Sequence, residues 1–496
     1  MSDDRFAGRV VPSSLAVHYN FPLAALQESL RFFGGDPDSV YADGDTPNLP
    51  LKTLDASHFK DSVEESRHIK VLLTYIHEQF HLRHLTASPV GMLLYLLGGR
   101  EFAYVYAALR RWGERIGASP EATVNLPLRT HHAEDSEIQE IVQAWETFGV
   151  FQNLLMDSMG ELTFLDVTSE VLQPLLNEVG IMTRTALKSP DTYPLIDLGT
   201  NHDQPVTPTG KDGHQLTGRA VLEGLARMNE LMSLAALGVP LDAINEIIVA
   251  KQHGIYGETI GIAGRLLNVD STSAWMMVAK LSDWALQAPV LPFLLRERET
   301  VPIMELLPAW RYIRLVSRFK QANFTLDDLL HREREVATNL FTGLGWADPW
   351  KVAKSILETD IPSPKAVLTR HYWENLQLGA ELRLSNPAVL SFPNLGDQGH
   401  KLQALFNIFS DGIAQRVGSG ISEDPQRWSL IASLITDASA HDLLLSENLA
   451  AAYQYAKWVS DFTGGEPKPG TLLGKALVDC VGNVAAKKVL EAIQWV

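Results

Sequence analysis

The chain has 496 residues, of which 46% are hydrophobic and 20% are charged, a composition typical of globular proteins. Its formal net charge of -17 disfavours nucleic acid and anionic membrane surfaces as partners, because the average field repels both. The single cysteine, Cys480, excludes an internal disulfide and a cysteine-ligated metal site, so any metal must be held by His, Asp or Glu.

Helical periodicity dominates the sequence and predicts a mainly α, multi-helix fold with at most a small sheet near the N-terminal part. The first strong helix is capped near Asp61 or Ser62, and Pro89 sets its end near Leu85. Further helices are predicted near residues 135–160, 163–178, 216–237, 241–253, 271–288 and 303–320. No apolar run reaches the length of a bilayer span and no export signal is recognisable, so we expect a cytoplasmic protein without a membrane partner.

The periodicity vanishes between residues 183 and 215, where prolines, glycines and polar residues accumulate. A segment of this length without a pattern is typical of a lid or a binding loop, although a flexible linker has the same composition. The stretch Tyr-Pro-Leu-Ile-Asp-Leu within it allows one short edge strand, and the first 55 residues allow one or two more. Charge, Pro and Gly interrupt the pattern near residue 300 and divide the chain into 1–300 and a helical C-terminal region, 301–496.

The segment His77-Glu78-Gln79-Phe80-His81 places two histidines four residues apart on the first strong helix. The two positions are about 6 Å apart along the axis and on nearly the same face, so both rings can reach one tetrahedral metal ion. Glu78 projects beside the pair, where a carboxylate can take a proton from metal-activated water and return it to a leaving amine. We interpret the segment as a zinc site with Glu78 as general base. The alternative is a pair of solvated or packed histidines on an amphipathic helix.

This segment resembles the HExxH motif of the zincin metallopeptidases, and the resemblance covers about a twentieth of the chain. It implies that His77 and His81 hold zinc, that Glu78 is the general base, and that the substrate is a peptide or protein. The metzincin arrangement HExxHxxGxxH is absent, because His84 stands at the glycine position and Ala87 at the third histidine position.

The third ligand must come from another element, and the gluzincin type takes a glutamate from a later helix. Residues 217–227 resemble such a helix, with Glu223 among small and apolar residues that allow close approach to another backbone. Glu223 is therefore the predicted third ligand. Arg219 and Arg227 flank it four residues away on either side, which leaves open a solvated ion-pair ladder. The alternative ligands are Glu230, Glu161 and Glu258.

An electrophile that steadies the oxyanion is normally a Tyr, His or Arg close to the metal. Tyr256 is the predicted residue, because glycines on either side of Ile255 and Tyr256 suit a turn at the edge of a site. A structural role for this side chain stays open. The alternative electrophiles are His253, His214 and His202.

The sequence thus predicts a zinc-dependent hydrolase, an intracellular peptidase in which the zincin-like region 1–300 is catalytic. The helical C-terminal region would shape substrate access or bind a protein partner, and residues 183–215 are the predicted gate. Amidase chemistry on a non-peptide substrate, and a helical scaffold with a structural metal or none, remain alternatives. A di-iron bundle that pairs Glu65-x-x-His68 with Glu78-x-x-His81 is rejected, because one helix separates these elements by about 20 Å.

Overall fold

The computed structural model describes residues 8–11, 16–35, 37, 63–94, 124–126, 156, 195–197, 216–236, 255–269, 271–288, 300–358, 367–385, 406–409, 412–414 and 493–495. Within these ranges the protein is mainly α, which confirms the prediction from periodicity. The helices are α1 (Leu23–Phe32), α2 (Val63–Thr86), α3 (Gly218–Ala236), α4 (Glu258–Leu267), α5 (Ser271–Ala285), α6 (Pro308–Gln321), α7 (Leu326–His331), α8 (Glu333–Leu344), α9 (Pro349–Glu358) and α10 (Val367–Ser385). The helices predicted at 135–160, 163–178 and 241–253 lie outside the described residues, residue 156 excepted.

The described strands are short and join distant parts of the chain. They are β1 (Gly8–Val11), β2 (Ala16–Tyr19), β3 (Val124–Leu126), β4 (Leu195–Asp197), β5 (Thr300–Pro302), β6 (Phe406–Phe409), β7 (Gly412–Ala414) and β8 (Ile493–Trp495). One sheet has the order β1-β2-β6-β7, with β1 antiparallel to β2, β2 parallel to β6, and β6 antiparallel to β7. Strands β3 and β8 form a parallel pair, as do β4 and β5. The sheet is small, and half of its strands come from the C-terminal region.

Helix α2 carries the His-Glu segment, and local sequence explains where the helix runs. Residues 63–86 contain neither Pro nor Gly, and apolar residues recur along them at intervals of three and four. At the C-terminal end the Thr86 hydroxyl donates a hydrogen bond to the Leu82 carbonyl at 2.7 Å, and Pro89 follows. The predicted end near Leu85 is therefore correct to one residue.

Helices α1 to α9 contribute residues to one hydrophobic core, and α10 packs against Ala87 in a separate cluster. Helix α2 packs against α1 and α3, α3 packs against α5, and α6 packs against α4 and α5. Trp284 is fully buried in this core, so Trp284→Ala would cost about 3–5 kcal/mol. Residues on both sides of residue 300 belong to this core. The division of the chain near residue 300 stays a prediction. None of the helices in the described ranges combines the length and apolarity that a membrane span requires.

A buried ion pair fixes α10 to this core. Arg383 donates to the two carboxylate oxygens of Asp283 on α5 at 2.7 and 2.8 Å, and both side chains are almost fully buried. Burial opposes the charge on Asp283, but the Arg383 guanidinium outweighs it and lowers the pKa of the carboxyl group. The pair therefore stays ionised inside the core.

Candidate metal centre

Two packed helices bring three donor atoms together. His77 and His81 lie on α2, and Glu223 lies on α3. His77 Nε2 is 3.0 Å from Glu223 Oε2, and His81 Nε2 is 3.2 Å from the same oxygen. One ligand atom of each residue lies within 4.8 Å of the other two, which makes this a possible metal-binding group among the described residues. The structure thus brings together the three residues that the sequence predicts as ligands.

The two distances from Glu223 to the histidines are close to those between the ligands of a tetrahedral metal ion. Around zinc, with bonds of about 2.0–2.2 Å, neighbouring ligand atoms lie roughly 3.3–3.6 Å apart. The observed separations of 3.0 and 3.2 Å are slightly shorter, because the imidazoles and the carboxylate contact one another directly. A small outward movement of the side chains would admit an ion. Two imidazoles and one carboxylate are also a donor set that recurs in catalytic zinc sites.

Burial and charge set the protonation of these ligands. His77 and His81 are each 7% exposed. Burial opposes the charged form of the His77 imidazole, but the hydrogen bond with Glu223 and the nearby carboxylates raise its pKa overall. Burial likewise opposes the charge on Glu223, whereas His81 and His77 hold its pKa far below the usual range. Glu223 is therefore ionised, which is the form that binds metal.

Glu230 lies behind His77. Its Oε1 is 2.8 Å from His77 Nδ1, and its other carboxylate oxygen pairs with Arg227. Because His77 directs Nε2 toward Glu223, the negative charge beside Nδ1 favours the tautomer with its proton on Nδ1, although the pair lacks the alignment of a hydrogen bond. On sequence grounds Glu230 is an alternative ligand, but the structure places it against the opposite nitrogen.

Glu78 lies against the first strand of the sheet. It is 5% exposed, and a Cβ atom on Gly8 of β1 would be 2.6 Å from Glu78 Cγ and 2.9 Å from Glu78 Oε1. Glycine at this position therefore leaves the space that the Glu78 side chain fills. The Glu78 charge also raises the pKa values of His77 and Tyr256, so its carboxylate lies near both groups. Sequence reasoning missed Gly8, whose only signal is the lack of a side chain.

Tyr256 lies at the edge of this group. It occupies the turn at 255–257 that precedes α4, and its ring centroid is 5.9 Å from that of His77. Partial burial, followed by the charges of Glu223 and Glu78, raises the pKa of Tyr256 to about 12. The phenol is therefore protonated at neutral pH and can donate a hydrogen bond. With 40% of its surface exposed, Tyr256 also borders solvent.

The other predicted residues are placed as follows. Glu258 begins α4, two residues after Tyr256. His84 is 2% exposed, its ring stacks on that of Phe80 with centroids 6.1 Å apart, and its charge lowers the pKa of Asp283. Outside the described residues lie Glu161, His253, His214, His202 and, apart from β4, the segment 183–215.

No protein-family model, curated protein or solved structure matches this chain. The resemblance to the zincins therefore rests on the residues of the chain alone, and membership of that family stays a prediction. The convergence of His77, His81 and Glu223 is the observation from which its function is inferred.

Proposed function

We propose that this protein is a zinc-dependent hydrolase that cleaves amide bonds in peptides or proteins. The observation that carries the proposal is the convergence of His77, His81 and Glu223. In the sequence, Glu223 is 146 residues from His77 and 142 residues from His81. Enclosing a carboxylate in a core is costly unless its charge is compensated. A chance HExxH segment on an amphipathic helix gives no reason for a carboxylate from another helix to meet both imidazoles.

Two features favour a catalytic ion over a structural one. A structural zinc ion is normally closed by four protein ligands, whereas a catalytic ion keeps one position for water. Within the described ranges the group has three members, and Glu230 contacts the histidine nitrogen that faces away from it. The Glu223 side chain is 19% exposed and Tyr256 is 40% exposed, so solvent reaches the group from that side.

The residues divide the proposed chemistry among them. Bound zinc would polarise the scissile carbonyl and acidify a water molecule. Glu78 accepts one proton of the attacking water and delivers it to the amine as the C–N bond breaks, and the remaining proton passes from the new carboxyl group to the amine, which leaves a carboxylate and an ammonium group. The Tyr256 phenol donates a hydrogen bond to the carbonyl oxygen as that atom gains negative charge. Glu230 keeps the His77 ring in position.

A cytoplasmic location agrees with the single cysteine, since reducing compartments do not favour disulfides. A gating role for residues 183–215 stays a prediction, and deletion of that segment without any effect on rate or substrate choice would remove it. A protein partner for the helical C-terminal region also stays a prediction, which chemical cross-linking of the full chain, with the linked sites mapped to residues 301–496, would test.

The proposal is tested by incubating zinc-loaded protein with a mixture of synthetic peptides of known sequence and identifying new termini by mass spectrometry. Wild-type protein is expected to cleave, and Glu78→Gln is expected to cleave at least about 100-fold more slowly while retaining zinc. Glu335→Gln is the matched control, because its side chain is 64% exposed on α8 and it is expected to cleave normally. Undiminished cleavage by Glu78→Gln would overturn the mechanism. Zinc uptake without any cleavage would favour a scaffold with a structural metal.

A further inference from the structure

The first turns of α3 have one accessible stripe. Among residues 218–231, all of which the structure describes, every position is buried except Arg219, Glu223 and Arg227. These three are spaced by four residues and therefore lie along one face of the helix. The rest of the helix packs against α2, α4, α5 and α6. The stripe is therefore the only face of residues 218–231 that solvent partly reaches.

This Arg-Glu-Arg stripe runs through the proposed metal centre. Glu223 is its middle member, and each arginine lies about 6 Å from it along the helix axis. Arg227 lies one turn after Glu223, toward the middle of α3. Arg219 lies at the other end, in the first turn of α3, where the helix dipole adds positive potential. The Arg219 end is therefore the side of the metal centre that favours an anion.

Tyr256 adjoins the same ligands from the solvent side. Its ring centroid is 5.9 Å from that of His77, and 40% of its surface is exposed. His77 Nε2 is in turn 3.0 Å from Glu223, the middle residue of the stripe. The predicted electrophile and the stripe therefore border the same metal-binding group.

We propose that Arg219 binds a carboxylate of the substrate, so that the protein prefers substrates with a negative charge one or two residues from the scissile bond. This inference rests on the proposed hydrolysis and names its substrate class. A guanidinium group matches a carboxylate in a two-point fork, and its five N–H donors allow a further partner at the same time. The separation of the negative charge from the scissile bond follows from the helix. The rise of about 6 Å between Arg219 and Glu223 corresponds to fewer than two residues of an extended substrate.

The carboxylate can be a free C-terminus or an acidic side chain, which offer Arg219 the same chemistry. Long-range attraction does not supply the preference, because the net charge of -17 repels anions at a distance. The selectivity must therefore depend on the arginine at the site and disappear when its charge is removed.

Three hydroxamates, which bind zinc through the same group, test this inference by calorimetric titration of the zinc-loaded protein. In each probe the hydroxamate is joined through a short acyl spacer to the amino group of an amino acid. The three amino acids are alanine with a free carboxylate, alanine amide, and the α-amide of aspartic acid. At least one charged probe is expected to bind wild-type protein about 10- to 100-fold more tightly than alanine amide. The charged probe that binds more tightly identifies the C-terminus or the side chain as the source of the carboxylate.

Arg219→Gln is expected to reduce this ratio of affinities to about one, and Arg219→Lys to retain part of it. Lys354→Gln is the matched control, because Lys354 is 70% exposed on α9 and its loss is expected to keep the wild-type ratio. Equal affinity of wild-type protein for all three probes, or an unchanged ratio in Arg219→Gln, would overturn the inference alone. Failure of wild-type protein to take up zinc, measured in the same samples, would instead overturn the proposed function together with it.

Discussion

Glu230→Gln should separate ring positioning from metal ligation. The substitution keeps the size of the side chain and removes the charge that contacts His77 Nδ1 at 2.8 Å. A carboxylate behind a metal-bound histidine fixes the ring and raises its basicity, and its loss typically lowers metal affinity about 10- to 100-fold. The expected loss of zinc-binding free energy is therefore about 1.4–2.7 kcal/mol.

The same substitution should also lower the stability of the fold. Glu230 pairs with Arg227, and their side chains are 9% and 13% exposed. Removing one partner of a fully buried pair costs about 3–5 kcal/mol, and the residual exposure of Arg227 reduces the expected cost to about 2–3 kcal/mol. Glu333→Gln is the matched control, since Glu333 holds the buried Lys280 at 2.9 Å, is 14% exposed and is not one of the metal-binding residues.

Both variants would be measured by zinc titration against a competing chelator and by unfolding in urea. Glu230→Gln is expected to lose zinc affinity and stability, and Glu333→Gln to lose stability alone. Wild-type zinc affinity in Glu230→Gln would refute the positioning role. An equal loss of affinity in Glu333→Gln would show that reduced stability, and not the orientation of the ring, weakens zinc binding.

Three further predictions follow from other contacts. Gly8→Ala is expected to slow hydrolysis at least about tenfold in rate assays while zinc stays bound, because the new Cβ would lie 2.6 Å from Glu78 Cγ and displace the base. Asp283→Asn is expected to lower the free energy of unfolding in urea by about 3–5 kcal/mol, because Arg383 is left charged and unpaired in the core. Zinc affinity measured by titration is expected to fall as the pH is lowered, and to begin falling above pH 6.5, because zinc requires neutral imidazoles and the pKa of His77 is raised from that value.

Each of these predictions has a control or a contrary result. Gly261→Ala should leave the rate unchanged, because within the described part of the chain no atom beyond its own helical backbone and chain neighbours lies within 4 Å of the Cβ that it adds. Lys354→Ala breaks a pair with Glu358 whose side chains are 70% and 66% exposed, so unfolding should change little. A wild-type rate in Gly8→Ala would contradict the placement of the base. Wild-type stability in Asp283→Asn would contradict the buried pair. Zinc affinity that stays constant through neutral pH would contradict ligation by imidazole.

The three residues of the proposed metal centre were predictable from helical spacing and from the composition around Glu223. Helical spacing alone puts His77 and His81 on one face, and the small residues around Glu223 indicate a helix that another backbone approaches closely. Gly224 shows this approach, since a Cβ there would lie 2.1 Å from the Thr259 hydroxyl. Helical spacing could not decide whether Glu223 or Glu230 is the ligand. The two residues are seven positions apart, which is nearly two full turns, so they lie on the same face of the helix.

Contacts that depend on tertiary docking could not be predicted. The position of α3 along α2 determines which carboxylate meets Nε2 of His77 and which meets Nδ1. Strand pairing is equally non-local, since β2 pairs with β6 across nearly the whole chain and both strands have only four residues. Gly8 reaches Glu78 through that sheet, so a motif on a helix carries no information about it. The burial pattern of α3, which leaves Arg219 partly accessible, likewise depends on the helices that pack against it.

The most direct test of the metal centre is elemental analysis of purified protein after incubation with zinc and dialysis. Wild-type protein would be measured beside His77→Ala, His81→Ala and Glu223→Ala, with Glu335→Gln as the control for substitution at the surface. The proposed site predicts about one zinc ion per chain in the wild type and the control, and its loss from the other three. A wild-type protein that takes up no zinc, or zinc retained equally by all variants, would contradict it.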